Sequence, residues 1–261
     1  MSFKSLTEVT SFIEQAKLPR TDFPGRTRAE IPPQQLTLAT QAGRYKAAVC
    51  GGEILSFSSE VPSERRTTIL NCALLAQLVA KDRVPDASNL DEWYEAYFDS
   101  LTNLGWAIAQ RSWSSSTVLS EEFSAHKAVL TLVAAFLGEA SSAYLLVRET
   151  LDALRSLDPK DSWLKLFDRE TRSLKSAKFQ IGVVSGDATN LNIASMSFKL
   201  ESSTTVTGVL FFKVKDAVVN FSEIRNNTAI NAGILDQIGP LLHKKLVAQV
   251  TDYILGLPQL K

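Results

Sequence analysis

Ala194-Ser195-Met196-Ser197-Phe198-Lys199-Leu200-Glu201 alternates apolar and polar side chains without a break. Successive side chains of a strand point to opposite faces, so this stretch reads as a strand with one apolar and one polar face. Its neighbours differ. Phe179 to Ser185 and Val206 to Val214 carry apolar residues on both faces, the pattern of strands covered on both sides. Gly186-Asp187 with Thr189-Asn190, then Ser202-Ser203, then Asp216 supply turn residues, and the run from Lys178 to Glu223 reads as consecutive antiparallel strands.

Away from this run the period becomes helical. Ile69, Leu70, Ala73, Leu74, Gln77 and Leu78 recur at three and four residues after Pro62-Ser63-Glu64, predicting a helix over Arg65 to Lys81. Leu90 to Leu104 repeats the pattern and stops at Gly105. Trp106 to Trp113 alternates like a strand. Glu121 to Ser156 reads as a helical hairpin parted by Gly138, followed by a helix over Asp161 to Ser173. A last helix is expected over Ile230 to Leu255. Near the N-terminus, Ser5-Leu-Thr-Glu8 has the form of a capping box, in which hydroxyl and carboxylate each satisfy a free backbone donor. Leu18 to Pro33 holds four prolines and reads as an exposed linker, and Tyr45 to Phe57, around Gly51-Gly52, as a short strand or bent extended segment. Helices, then a sheet meander, then a helix is an α+β order. Two regions follow: residues 1–40 as an N-terminal helix and proline-rich arm, and residues 41–261 as one α/β domain.

Composition excludes several functions. The chain has 261 residues, and 28 Lys plus Arg balance 28 Asp plus Glu, so no net field draws it to nucleic acid. Its two cysteines, Cys50 and Cys72, make no disulfide framework and read as free thiols. The N-terminus lacks the apolar segment of a secretory signal, so synthesis in the cytoplasm is expected. Neither His126 nor His243 has a second His or Cys within helical reach, so no zinc site is expected, and both read as helix-surface residues. There is no Gly-x-Ser-x-Gly elbow, phosphate loop or Gly-x-Gly-x-x-Gly. Asp91, Glu92, Glu95 and Asp99 form a carboxylate cluster whose spacing equally describes the wet face of a helix. Ala128 to Val147 is long enough to span a bilayer, but the polar Gly138-Glu139-Ala-Ser-Ser142 at its centre favours a hairpin packed on a sheet.

Val209-Leu-Phe-Phe-Lys-Val-Lys-Asp216, with Met196-Ser-Phe-Lys-Leu-Glu201 and Phe179-Gln-Ile-Gly-Val-Val184 before it, resembles the strand region of the Cyt family of cytolytic δ-endotoxins. An Erwinia virulence factor has a related fold. The helix Ile69 to Leu78, the apolar hairpin around Leu130 to Leu154, and Trp163 with Phe167 follow in the order that family uses. The resemblance implies an antiparallel sheet of about six strands wrapped on both sides by helical hairpins. It also implies an attack on lipid membranes in which the helices leave the sheet.

The lipid-contact candidates are then the apolar strand residues Phe179, Ile181, Val183, Met196, Phe198, Leu210, Phe211 and Phe212. The virulence factor carries a fatty acyl chain on a cysteine, but this chain has no cysteine after Cys72, which remains the candidate acyl or redox thiol. The expected function is a non-enzymatic, membrane-lipid-binding, pore-forming or membrane-perturbing protein of toxin or virulence type, released and then host-membrane associated. No catalytic residue, cofactor or metal is expected. Its partners would be membrane lipids and, once membrane-bound, further copies of itself. Two alternatives stand beside this reading: a carrier of a fatty acid or other apolar ligand between hairpin and sheet, with Cys72 as a wall residue, and an enzyme using the carboxylates from Asp91 to Asp99.

Overall fold

The computed structural model describes residues 4–19, 46–86, 88–158, 161–187, 190–206, 208–211, 213–247 and 254–256. Its strands are β1 (Ala47–Cys50), β2 (Glu53–Phe57), β3 (Ser114–Ser124), β4 (Ser176–Gly186), β5 (Asn190–Ser202), β6 (Lys213–Asn231) and β7 (Ile254–Gly256). They form one sheet in the order β3-β6-β5-β4-β2-β1-β7. The alternating stretch lies in β5, between β4 and β6, and pairs antiparallel with both.

The sheet is mixed. The β1–β2 hairpin, turning at Gly51-Gly52, lies along the free edge of β4, and β2 runs parallel to β4 with Glu53 opposite Gln180 and Leu55 opposite Gly182. A Cβ at Gly182 would stand 2.7 Å from Leu55 Cδ2, so a larger residue there would make the Leu55 side chain shift.

Helices cover both faces. One face carries α1 (Leu6–Gln15), α2 (Ser63–Arg83), α3 (Leu90–Asn103) and α7 (Ala232–Leu246). These pack with Leu55, Phe57, Val184, Leu191, Ile193 and Ile224 into a first core. The other carries α4 (Ala125–Leu137), α5 (Ser142–Arg155) and α6 (Ser162–Thr171), which enclose a second core over Phe179, Ile181, Val183, Met196, Phe198 and Leu200. Phe179, Ile181 and Val183 therefore share one face of β4, and the intervening Gln180, Gly182 and Val184 look the other way. The polar face of β5 is covered too: the Lys199 ammonium lies 4.7 Å from the Trp113 ring and 2.6 Å from the Asp91 carboxylate of α3.

Several expectations are corrected. Trp106 to Trp113 is irregular, and the strand comes next, as the serine-rich β3 paired with β6, so residues 121–124 belong to a strand and not to the hairpin. Val206 to Val214 is not one strand. Asp168 accepts a hydrogen bond from the Val209 N–H at 3.0 Å, and Val209–Phe211 forms a short 3-10 helix before β6 begins. The last helix ends at Leu246, and Ile254–Gly256 pairs with β1. The Ser5–Glu8 capping box is present, and α1 places Val9 and Ile13 in the first core alongside α2 and α3, so this helix is part of the domain body. The proline-rich segment from residue 20 onward lies outside the described residues.

Candidate functional site

The residues singled out as lipid contacts converge on one surface, the sheet face beneath α4, α5 and α6. Phe179, Ile181, Val183, Met196, Phe198 and Leu210 are all buried there, Phe211 is partly buried at its rim, and Phe212 lies outside the described residues. Aromatic rings run across the strands. Phe179 stacks on Phe198 at 4.9 Å between centroids, Phe198 stacks on Phe221 at 5.4 Å, and Phe167 and Phe123 meet the two ends edge-on. Offset-stacked and edge-to-face pairs are the favoured aromatic geometries, so the row binds β3, β6, β5 and β4 together beneath the hairpin.

The hairpin breaks where the sequence suggested. Gly138 sits at φ 84°, a left-handed conformation that suits glycine, and divides the apolar run into two helices. Among the described residues no helix is long and apolar enough to cross a membrane. Helix α5 is an ordinary amphipathic helix, with Tyr144, Val147, Leu151 and Leu154 buried against the sheet. Helix α4 is more apolar. It buries Val129 and Val133, and Leu130, Leu132, Phe136 and Leu137 flank them, partly buried and packed against the same core, while Lys127, Thr131 and Ala135 are exposed. A surface helix ordinarily turns a charged face to water, and here that face carries one charge, Lys127. Beside it, Leu145 of α5 is 52% exposed.

Polar ties between hairpin and sheet are short-range and specific. The hydroxyls of Ser56 on β2 and Thr150 on α5 are 2.9 Å apart and buried. His126, read from the sequence as a surface residue, is instead buried at the start of α4. Its Nε2 has no hydrogen-bond partner among the described residues and stands 3.9 Å from Asp152, and burial holds its pKa below the ordinary value, so the ring is neutral at neutral pH.

Cys72 lies in the first core, on the opposite side of the sheet from the hairpin, and therefore lines no space between hairpin and sheet. Burial pushes its thiol up to about 12, and that of Cys50 well above its usual value, so neither is a ready nucleophile. The carboxylates of α3 face solvent: Asp99 and Glu95 pair with Arg111 at 2.7 and 3.3 Å, and Asp91 pairs with Lys199.

A different carboxylate is buried. Glu53 accepts a hydrogen bond from the Tyr97 hydroxyl at 2.9 Å, and burial raises its pKa to about 7. Sequence reading passed over it, although a lone acid after Gly51-Gly52, followed by Ile54 and Leu55, was the available signal. Next to it the Tyr94 hydroxyl lies 2.6 Å from the Phe198 carbonyl, to which it donates, and the Gln180 side chain makes no hydrogen bond of ordinary geometry among the described residues.

No family of known proteins matches the sequence, and no curated protein does. Among solved structures, a delta-endotoxin is similar at 12% identity with a TM-score of 0.40, covering 69% of this chain and 80% of its own. The Evf virulence factor is similar at 7% identity with a TM-score of 0.28, covering 80% of this chain and 81% of its own. These neighbours are a toxin and a virulence factor, but at such TM-scores the likeness carries no argument. The α+β class rests on the elements and pairings described above.

Proposed function

We propose that this protein binds lipid membranes through the α4–α5 hairpin and perturbs them, acting without catalysis as a toxin or virulence-type protein. The observation that carries the reading is the apolar character of the hairpin, in which Lys127 is the one Lys, Arg, Asp or Glu of α4 and Leu145 of α5 is exposed. Exposed Leu145, with the partly exposed Leu130, Leu132 and Phe136, supplies a first apolar contact, and the aromatic face beneath the hairpin is the surface released afterwards. The two cores lie on opposite sides of the sheet, so the hairpin can leave while α1, α2, α3 and α7 stay packed. In water it stays closed. Exposing Val129, Val133, Tyr144, Val147, Leu151 and Leu154 forfeits roughly 1.5–3 kcal/mol each, which together rivals the net stability of a whole domain. Lipid must replace those contacts. Strands β5 and β6, with 13 and 19 residues, exceed the roughly 9–11 residues a membrane strand needs. Open strand edges in hydrocarbon leave backbone groups unpaired, so any inserted form is an oligomer.

The test is a tether at the Ser56–Thr150 contact. Ser56→Cys with Thr150→Cys joins β2 to α5 where the side chains already meet. Dye release from phosphatidylcholine vesicles, with and without phosphatidylglycerol, should be lost in the oxidised double variant and return on reduction. Leakage by the oxidised protein equal to that of wild type sinks the release step. Wild-type protein silent on every vesicle removes the membrane reading and favours the apolar-ligand carrier, for which co-purified lipid in native mass spectrometry is the check.

A further inference from the structure

At the end of the sheet where β4 begins, a cavity of about 210 Å³ opens between the C-terminal parts of α2 and α6, with Trp93 of α3 and Lys178 of β4 in its wall. Four cations line it, Lys81, Arg169, Arg172 and Lys178, against one carboxylate, Glu170. Glu170 is already engaged, by Arg169 at 2.6 Å and Lys81 at 3.3 Å. Cations are favoured at helix C-termini, which accounts for Lys81 and Arg169 in the last turns of α2 and α6.

That account does not reach Lys178. It is on a strand, half-buried, with its ammonium 4.9 Å from the centre of the Trp93 ring and in no ion pair among the described residues. Burial lowers its pKa to about 8, with Glu170 opposing and Lys81 adding to that shift. Arg172, at the end of α6, is exposed and likewise in no ion pair among the described residues. A chain of zero net charge thus gathers a positive excess in one concavity, and Leu78, Val84 and Pro85 give that concavity an apolar wall.

We propose that this pocket binds a phosphate monoester. A carboxylate's single charge leaves most of the excess uncompensated, whereas a phosphate dianion offers three oxygens to the Lys178 ammonium, the Arg172 fork and Lys81. The apolar wall receives the ester's organic part. Binding draws a proton onto Lys178 when the pH is above neutral, because the dianion favours the charged amine over the neutral one. No residue of the hairpin lines the pocket, and the proposal does not depend on membrane action.

Isothermal titration of the full chain with phenyl phosphate tests this, since an ester phosphate with a second pKa of about 6 is already a dianion above neutral pH. Wild-type protein should bind one equivalent, with affinity falling as pH rises from about 7 to about 9. Lys178→Met, which keeps the buried stem, and Arg172→Gln, at an exposed position, should each weaken binding about tenfold or more. Lys178→Met should also lose the pH dependence. If Lys178→Met melts early, the exposed Arg172→Gln carries the comparison alone. A second arm uses phosphatidylcholine vesicles with and without phosphatidic acid. Retention that needs phosphatidic acid and is lost in both variants places the phosphate on a lipid headgroup, and titration without such retention places it on a soluble ester. No binding up to about 10 mM phenyl phosphate, or equal binding by wild type and both variants, overturns the proposal.

Discussion

Replacing Glu53 by glutamine should make the protein more stable at alkaline pH and remove much of its pH dependence. The Glu53 carboxyl is buried between β1, β4 and α3 and accepts a hydrogen bond from Tyr97. Its pKa of about 7 in the fold stands above the ordinary 4.5. Between those values the folded state holds a proton that the unfolded chain has released. The stability due to the neutral acid is therefore complete below about pH 4.5 and is lost as pH rises through about 7. A shift of this size corresponds to about 3 kcal/mol at 1.36 kcal/mol per unit. Tyr94, Tyr97 and Cys50 face the same carboxylate; burial foremost, and then Glu53, raises the pKa of each, so all stay neutral over this range. His126 works in the opposite sense, because its depressed pKa adds stability as pH rises through the unfolded value of 6.5. Comparing wild type with Glu53→Gln at each pH cancels that contribution. In the variant the Tyr97 hydroxyl can still donate to the amide oxygen, and the new N–H₂ lies across from Gln180, its register partner. Urea unfolding followed by tryptophan fluorescence, from about pH 5 to about pH 8, should show the wild-type curve falling relative to the variant by a few kcal/mol. A constant difference between the two proteins across this range would falsify the buried-acid account.

Two further outcomes follow from the cores. Phe198→Ala removes the ring stacked between Phe179 and Phe221 and should cost about 3–5 kcal/mol in denaturant unfolding; a loss below about 1 kcal/mol would mean that the aromatic row does not hold the sheet together. Cys50 and Cys72 should both resist a thiol reagent in the native protein and both react in denaturant, since each is buried with a raised pKa; rapid labelling of Cys72 before unfolding would restore it as an acyl or redox candidate.

Local pattern settled the kinds of element wherever one face of a segment met a core. The alternation through Leu200, the helical spacing from Ile69 to Leu78, the Ser5–Glu8 cap and the break at Gly138 are properties of a few neighbouring residues, and they are in the structure as read. The α+β class follows from their order. Pairing was decided elsewhere. Strand β3 is rich in serine and becomes a strand because β6 offers it a ladder, and Ile254–Gly256 is extended because β1 lies beside it. The parallel contact of β2 with β4 joins residues more than a hundred positions apart, which no local period encodes. The same distance hid the chemistry. Glu53 is buried only because Tyr97 and Gln180 close over it, and the cations around Lys178 gather only where the ends of α2 and α6 meet the start of β4. A side chain's period depends on its own segment, whereas its solvation, and hence its pKa and its partners, depends on every segment packed against it.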